Sequence, residues 1–172
     1  MEAMNPEENP NYSTLVKRLG LSQAQLAQAA AFTNTKYPDI SLEFEVLDED
    51  AIYAGEPAYL NVQIEREVED EEGEVDTTVH APFYPVKKME NWWLVVGEES
   101  TKTLLAIKRV TIGRQLKVRL EYTVPTPGKH DLKLFLMSDS YIGVDQEPAF
   151  SVNVAEGMDV DEDEDEEDEE DE

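Results

Sequence analysis

The 172-residue sequence contains no cysteine, and its two histidines, His80 and His130, lie far apart. Without cysteine the chain cannot form a disulfide or a thiolate metal site, and it has no cysteine nucleophile. No apolar run approaches the roughly 20 residues needed to span a bilayer, and residues 1–10 lack the basic and then apolar order of a secretory signal. We therefore expect an intracellular protein with no membrane partner.

The sequence also lacks the familiar motifs of enzymes. It contains no G-x-S-x-G turn, no G-x-x-x-x-G-K-[ST] phosphate loop and no H-E-x-x-H metal pair. Residues 137–146 superficially resemble a calcium loop because Asp139 and Asp145 flank Gly143, but the ligand spacing is wrong and a polar loop between strands is favoured. We expect no catalytic residue, no cofactor, no metal and no small-molecule substrate.

Acidic residues are abundant but unevenly placed, and the net charge is -26. Thirteen of the fourteen residues from 159 to 172 are acidic, and residues 65–76 carry eight acids, which predicts a solvated loop. Ten of the fourteen Lys and Arg residues lie between positions 87 and 133. Direct RNA contact through these bases is possible, but a solvated face is favoured. The candidate basic patch is Lys87, Lys88, Lys102, Lys108, Arg109 and Arg114.

Hydrophobic periodicity predicts a mainly β chain with a short helical start. Ser22 and Gln25 form a capping box for a helix that runs to about Asn34, and Gly20 is expected to end an earlier helix. From Ile40 the period changes to two, and about seven strands follow with turn signals between them. This pattern predicts an immunoglobulin-like antiparallel β-sandwich. The expected divisions are residues 1–10, disordered or left over from cloning; 11–39, helical; 40–155, the sandwich; and 156–172, a disordered acidic tail.

One predicted strand, residues 91–97 (Asn-Trp-Trp-Leu-Val-Val-Gly), has no polar face. In an immunoglobulin-like topology the first, second and fifth strands share a sheet with a polar exterior, whereas the third and sixth strands are neighbours whose outer positions are both apolar. Such a patch indicates a docking face, which is covered either by the N-terminal helices or by another protein. The candidate partner-binding face is Trp92, Trp93, Val95, Phe135 and Met137.

Four segments, which follow one another along the chain in the order found in a known family, carry a resemblance that extends from about residue 21 to residue 154. They are residues 90–97 (Glu-Asn-Trp-Trp-Leu-Val-Val-Gly), 103–110 (Thr-Leu-Leu-Ala-Ile-Lys-Arg-Val), 124–128 (Val-Pro-Thr-Pro-Gly) and 135–146 (Phe-Leu-Met-Ser-Asp-Ser-Tyr-Ile-Gly-Val-Asp-Gln). Together they resemble the closing immunoglobulin-like domain of a Sec63 homology unit. That unit occurs in spliceosomal RNA helicases of the Brr2 type, to which the match is closer, and in an endoplasmic-reticulum translocation protein.

The resemblance implies a nuclear, non-catalytic protein-interaction module at the C-terminus of a large ATP-dependent helicase. Such a module supports pre-mRNA splicing by binding other helicase domains and spliceosomal proteins, and by regulating the unwinding of a small nuclear RNA duplex. The helicase's own ATP-binding motifs are not in this sequence. Alternatives are the corresponding domain of the translocation factor and a free-standing acidic chaperone that binds partners through its tail.

Overall fold

The structure is a computed structural model that describes residues 18–68 and 75–157. Within those residues the chain forms the α-helix α1 (Gln23–Thr35), a short 3-10 helix over Glu49–Ala51, and the last two residues, 18 and 19, of an earlier helix. The predictions for residues 1–10 and for the acidic tail from residue 158 onward lie outside the described part. The described strands are β1 (Ile40–Val46), β2 (Pro57–Arg66), β3 (Trp92–Glu98), β4 (Thr103–Val110), β5 (Gln115–Thr123), β6 (Gly128–Ser138) and β7 (Ala149–Val154).

These strands form two antiparallel sheets, one in the order β1-β2-β5 and the other in the order β4-β3-β6-β7. The first, second and fifth strands therefore share a sheet, and the third and sixth are neighbours in the other, as the sequence predicts. The predicted mainly β sandwich of antiparallel sheets is confirmed. β4 extends the second sheet beyond β3, so it is an edge strand.

The inward face of each strand follows from the alternation of its side chains. In β2, Leu60, Val62 and Ile64 are each at most 2% exposed, whereas Asn61 between them is exposed. Leu60 lies opposite Leu120 of β5, so both strands turn apolar residues toward the same interior. The three-stranded sheet thus has one dry face and one wet face, as period-two patterning requires.

β3 supplies the centre of the core. Trp92 is the largest of the fully buried side chains, and Leu94 and Val96 on the same side of the strand are also 0% exposed. They belong to one apolar cluster with the inward leucines of β6, including Leu134 and Leu136. Burying side chains of this size stabilises the fold by about 1.5–3 kcal/mol each. The inner set of β3 therefore holds the two sheets together.

The structure corrects one boundary of the predicted acidic loop. Arg66 is not in a solvated loop; it is the last residue of β2 and is 8% exposed. Its position continues the inward alternation of Leu60, Val62 and Ile64, so its side chain enters the sandwich interior. Residues 69–74 lie outside the described part. Arg66 can lie in the interior because a buried carboxylate compensates its guanidinium charge. Strand β2 therefore extends through Arg66, and the loop begins after it.

Helix α1 begins as the sequence predicts. Ser22 Oγ accepts a hydrogen bond from the Gln25 backbone N–H at 3.3 Å, and Gln25 Oε1 accepts one from the Ser22 N–H at 2.8 Å. The helix ends at Thr35, one residue beyond the predicted end. Gly20 has a φ of 63°, the left-handed conformation expected of a helix cap, although most of the helix predicted before it lies outside the described residues.

The helix rests on the loops at one end of the sandwich. The Phe32 ring lies 5.5 Å from the His80 ring and 6.5 Å from the Tyr141 ring, centroid to centroid. Tyr37, just after the helix, donates a 2.6 Å hydrogen bond to the Ile142 carbonyl. These contacts join the helix to the β2–β3 and β6–β7 loops. We call this the helix end of the sandwich.

Candidate protein-interaction face

The register of the four-stranded sheet brings apolar side chains together on its outer surface. Trp93 of β3 lies opposite Met137 of β6. Val95 lies between Phe135 of β6 and Ile107 of β4. Adjacent strands are separated by about 4.8 Å, so these side chains are in reach of one another. We define the apolar outer face as Trp93, Val95, Leu104, Ile107, Phe135 and Met137.

Exposure differs across this face. Leu104 and Ile107 on the edge strand are 59% and 57% exposed, whereas Val95 at the centre is 8% exposed. Trp93 and Phe135 are half-buried. The face is therefore open to solvent mainly along β4, and the described part of α1 leaves that part uncovered. Neither Leu104 nor Ile107 was among the face residues predicted from the sequence, although both lie on β4 just before its basic residues.

Trp92 contributes no surface to this face. It is 0% exposed, and its neighbours in the register, Ser138 and Val110, place it on the inner side of the sheet. Successive residues of an extended strand point to opposite faces, so Trp92 and Trp93 cannot share one. Trp92 therefore belongs to the core and not to the proposed docking surface.

A bulge in β3 and β4 shapes the bottom of the face. The register shifts after Val96, so that Gly97 lies opposite Leu104. A Cβ atom on Gly97 would lie 3.8 Å from Cε2 of Phe135 and 3.3 Å from the Thr103 carbonyl oxygen. Because Gly97 has no side chain, the Phe135 ring can lie close to the backbone at this position. A bulge commonly redirects side chains at a sheet edge, here Leu104.

A charged rim borders the face near the helix end. The Arg109 guanidinium lies 5.5 Å from the Trp93 ring centroid, in cation–π range. Asp139 binds Arg109 at 3.3 Å and Lys88 at 3.0 Å. Burial raises the pKa of the Asp139 carboxyl, but hydrogen bonds from Ser140, from the Asn91 backbone and from Lys88 outweigh it and hold the pKa below its usual range. The rim orients Arg109 over the tryptophan.

The candidate basic patch is dispersed. Lys88 and Arg109 meet at Asp139. Arg114 lies beyond β4 near the backbone of Arg66, whose N–H donates to the Arg114 carbonyl at 2.8 Å. Lys102 lies in the turn between β3 and β4, at the opposite end of the sheet. The remaining members, Lys87 and Lys108, lie in the β2–β3 loop and on β4.

A buried ion pair beneath the helix end was not anticipated. Arg66 pairs with Glu90, which is 1% exposed, and Glu90 also accepts a 3.4 Å hydrogen bond from the Trp92 indole N–H. The Arg66 guanidinium donates to the carbonyls of Gly113 and Ile112 at 3.3 and 3.4 Å. Burial lowers the pKa of Arg66. Because the ordinary pKa of an arginine is very high, the guanidinium stays cationic beside the carboxylate. The pair links β2 of one sheet to the start of β3 in the other.

The remaining titratable contacts are structural in character. His130 Nδ1 lies 3.0 Å from Glu98 Oε1, and its Nε2 lies 2.9 Å from the Thr126 carbonyl oxygen. Hydrogen bonds from Thr101 and from His130 lower the pKa of Glu98. In the described residues no three His, Cys, Asp or Glu side chains are grouped to hold a metal ion. No helix described there is long and apolar enough to cross a bilayer.

Comparison of the sequence with those of known proteins identifies a family. The model of the Sec63 Brl domain matches residues 7–151. The chain is 48% identical over 143 residues to the pre-mRNA-splicing factor brr2 of Schizosaccharomyces pombe. It is 47% and 44% identical over 138 residues to the U5 small nuclear ribonucleoprotein 200 kDa helicases of Drosophila melanogaster and Homo sapiens. The three alignments cover 83%, 80% and 80% of this chain.

The chain spans only 6% of the length of each of these relatives. The similarity therefore concerns one domain of a much longer protein. It confirms the resemblance to the Sec63 unit of a Brr2-type helicase that the tryptophan strand and its companion segments indicate. The chain belongs to the Sec63 Brl domain family.

Proposed function

We propose that this domain is a non-catalytic protein-interaction module at the C-terminus of a spliceosomal RNA helicase, acting in the nucleus. Its partners are other domains of the parent helicase and spliceosomal proteins, and its binding supports pre-mRNA splicing by regulating the unwinding of a small nuclear RNA duplex. The observation that carries the proposal is the exposure of Leu104 and Ile107 beside the half-buried Trp93 and Phe135.

The outer face of a sheet does not have to be apolar for a β-sandwich to fold. Only inner faces have to be apolar, and the outer face of the three-stranded sheet is polar, with Asn61 and Lys117 exposed on it. The apolar outer face is not required by the core. A contiguous apolar surface of this kind is typical of a protein–protein interface, in which aromatic anchors surrounded by a polar rim supply most of the affinity.

The named relatives favour splicing over protein translocation. Most of the named matches are splicing factors, U5 small nuclear ribonucleoprotein helicases or RNA helicases, and one, from Dictyostelium discoideum, is named for an activating signal cointegrator complex. This supports a spliceosomal partner for the face. Direct RNA binding is not favoured, because Lys88 and Arg109 of the candidate patch already pair with Asp139, and Arg109 also covers the Trp93 ring on which a nucleobase would stack.

The test compares two aromatic–arginine pairs on opposite sides of the molecule. Trp93 lies under Arg109 on the apolar outer face, and Tyr59 lies under Arg119 on the polar face, at 5.5 and 3.8 Å from ring centroid to guanidinium. Trp93→Ala in the parent helicase should weaken its association with spliceosomal proteins by about thirtyfold, which corresponds to roughly 2 kcal/mol for an interface anchor. Tyr59→Ala is the matched control.

Duplex unwinding and binding titrations of both variants give the readout. The proposal expects Trp93→Ala to lower affinity and the regulated unwinding rate while the control keeps both. Equal affinity for the two variants, with the fold of each verified by thermal unfolding, would remove the apolar outer face from the mechanism. A loss in both variants would instead indicate that the polar face also takes part.

A further inference from the structure

The free edge of β4 exposes backbone groups, and their direction follows from hydrogen bonds on the far side of the sheet. Leu136 of β6 and Gln146 exchange two backbone hydrogen bonds, at 2.8 and 3.0 Å. The Asp139 N–H donates to the Asn91 carbonyl at 3.0 Å. Since backbone groups of successive strand residues point to alternate sides, Phe135 and Met137 bond to β3.

The same alternation continues through β3 to β4. Trp93 and Val95 bond to β6, so Trp92 and Leu94 must bond to β4. Their partners in the register are Val110 and Lys108. The backbone N–H and C=O groups of the alternate residues of β4, Ile107 and Arg109, therefore point away from the sheet. β4 presents a strand edge able to accept another strand.

The charge around this edge is opposite to that of the whole chain. Residues 100–120 contain six basic residues and no acid, in a chain whose net charge is -26. This segment covers β4, the following loop and β5, and these two edge strands lie side by side on one flank of the sandwich. The basic flank consists of Lys102, Lys108, Arg109, Arg114, Lys117 and Arg119.

The aromatic rings near the basic flank are already capped by arginine. Arg109 lies over Trp93 and Arg119 lies over Tyr59. A nucleic acid would need open ring faces on which to stack its bases. The apolar side chains that remain exposed beside the lysines and arginines are aliphatic, namely Leu104 and Ile107. Aliphatic side chains between lysines match a protein segment with apolar and acidic residues better than they match RNA.

We propose that β4 takes up an extended segment of a partner protein as an added β-strand, and that this segment alternates acidic and apolar residues. The inference rests on the proposed interaction function and specifies its geometry. Backbone groups of Ile107 and Arg109 pair with the added strand, its apolar residues extend the apolar outer face beside Ile107, and its carboxylates meet Lys102 and Lys108. Strand addition of this kind supplies affinity through the backbone and selectivity through alternate side chains.

The lysines also explain why the edge selects a partner and not a second copy. Lysine on an edge strand discourages pairing between identical chains, because like charges would face each other. An acidic strand reverses that repulsion. The opposite edge strand, β7, has no charged residue in Ala149–Val154 and so offers no such preference.

The test uses the full 172-residue chain and a ten-residue peptide that alternates valine with aspartate. A valine–lysine peptide of the same length and a uridine oligonucleotide are the comparison ligands. The aspartate peptide should bind at least tenfold more tightly than either, weaken as salt rises, and slow hydrogen exchange at the amides of Ile107 and Arg109. The Lys102→Glu, Lys108→Glu double variant should lose at least tenfold in affinity for it.

A proline pair separates the edge from the side chains. Ile107→Pro removes an N–H that points to solvent, which an edge strand tolerates, and should abolish binding; Asn153→Pro, at the corresponding kind of position on β7, should not. Failure of the aspartate peptide to bind, preference for the lysine peptide or the oligonucleotide, or protection on β7 in place of β4 would overturn the proposal. Protection of Ile107 and Arg109 before peptide is added, lost on deletion of residues 159–172, would show that the chain's own tail occupies the edge and would also overturn it. None of these outcomes depends on the Trp93→Ala result, so the two proposals fail independently.

Discussion

The two sheets of this sandwich have similar inner faces and very different outer faces. On the three-stranded sheet the exterior carries charged and amide side chains, including Glu43, Glu45 and Asn61, all exposed. On the four-stranded sheet the corresponding positions of β3 and β4 carry Val95 and Ile107. Folding requires the inner faces alone, and an apolar exterior adds a risk of aggregation. The difference supports the proposal that the second exterior serves in binding.

The largest difference in stability is expected between substitutions at the neighbouring residues Trp92 and Trp93. Trp92→Ala should lower the free energy of unfolding by about 3–5 kcal/mol, because it leaves a cavity between the sheets. Trp93→Ala should cost about 1 kcal/mol or less, because that ring lies on the outside. Urea denaturation of both variants measures the difference. Comparable losses would show that the outer ring is part of the folding core and would undermine the assignment of a separate face.

The buried ion pair should give the next largest effect. Glu90→Ala leaves the Arg66 guanidinium without its carboxylate in the interior, and the unfolding free energy should fall on the order of 3 kcal/mol. Replacing both by residues of similar size, Arg66→Met with Glu90→Leu, should recover most of the loss. Calorimetry of the single and double variants checks this. If the double variant is as unstable as Glu90→Ala, the pair also sets the arrangement of the sheets.

Acid should destabilise the charged rim of the apolar outer face through Asp139. The folded-state pKa of Asp139 is held below its usual range, so its contribution to stability is present above the unfolded pKa and is lost as pH falls through the folded pKa. Stability measured between neutral pH and about pH 3 should therefore decline less steeply in Asp139→Asn than in the unaltered chain. An unchanged slope in the variant would assign the acid sensitivity to other carboxylates.

The smallest effect is expected at Tyr122, in the core between the faces. Its hydroxyl oxygen is buried without a hydrogen-bond partner among the described residues, and burial together with Glu49 raises the pKa of Tyr122 to about 12. Tyr122→Phe should leave the unfolding free energy unchanged or raise it by up to about 1 kcal/mol, since it removes an unpaired polar group. A loss larger than that would reveal a partner for the hydroxyl.

Most of the fold was predictable because its residues obey a local period. Alternation in β2 and β5 predicts their inner faces, and the Ser22–Gln25 capping box predicts where α1 begins. The resemblance carried by the tryptophan strand indicated the family. The alternation and the capping box depend on neighbours within a few residues, so the sequence expresses them directly.

The parts that were not predictable depend on contacts between distant segments. Arg66 and Glu90 meet across the two sheets, and no local pattern announces an ion pair between them. The signal in the sequence was the alternation of β2: Arg66 comes two residues after the inward-facing Ile64, so its side chain is expected to point into the interior as well. Leu104 joins the outer face because the register shifts after Val96, and a bulge of this kind cannot be read from a regular alternation.

If the apolar outer face binds a partner, its solvent accessibility should differ from that of the polar exterior once the parent protein has assembled with its partners. The chain has no cysteine, so Ile107→Cys and Asn61→Cys each place one thiol on an exposed position of one outer face. Thiol labelling followed by peptide mass mapping reports each site in the partner-bound parent protein relative to the isolated chain. Labelling at position 107 should fall by at least tenfold on assembly, while position 61 should stay reactive. Equal labelling at both positions in the assembled state would contradict this expectation.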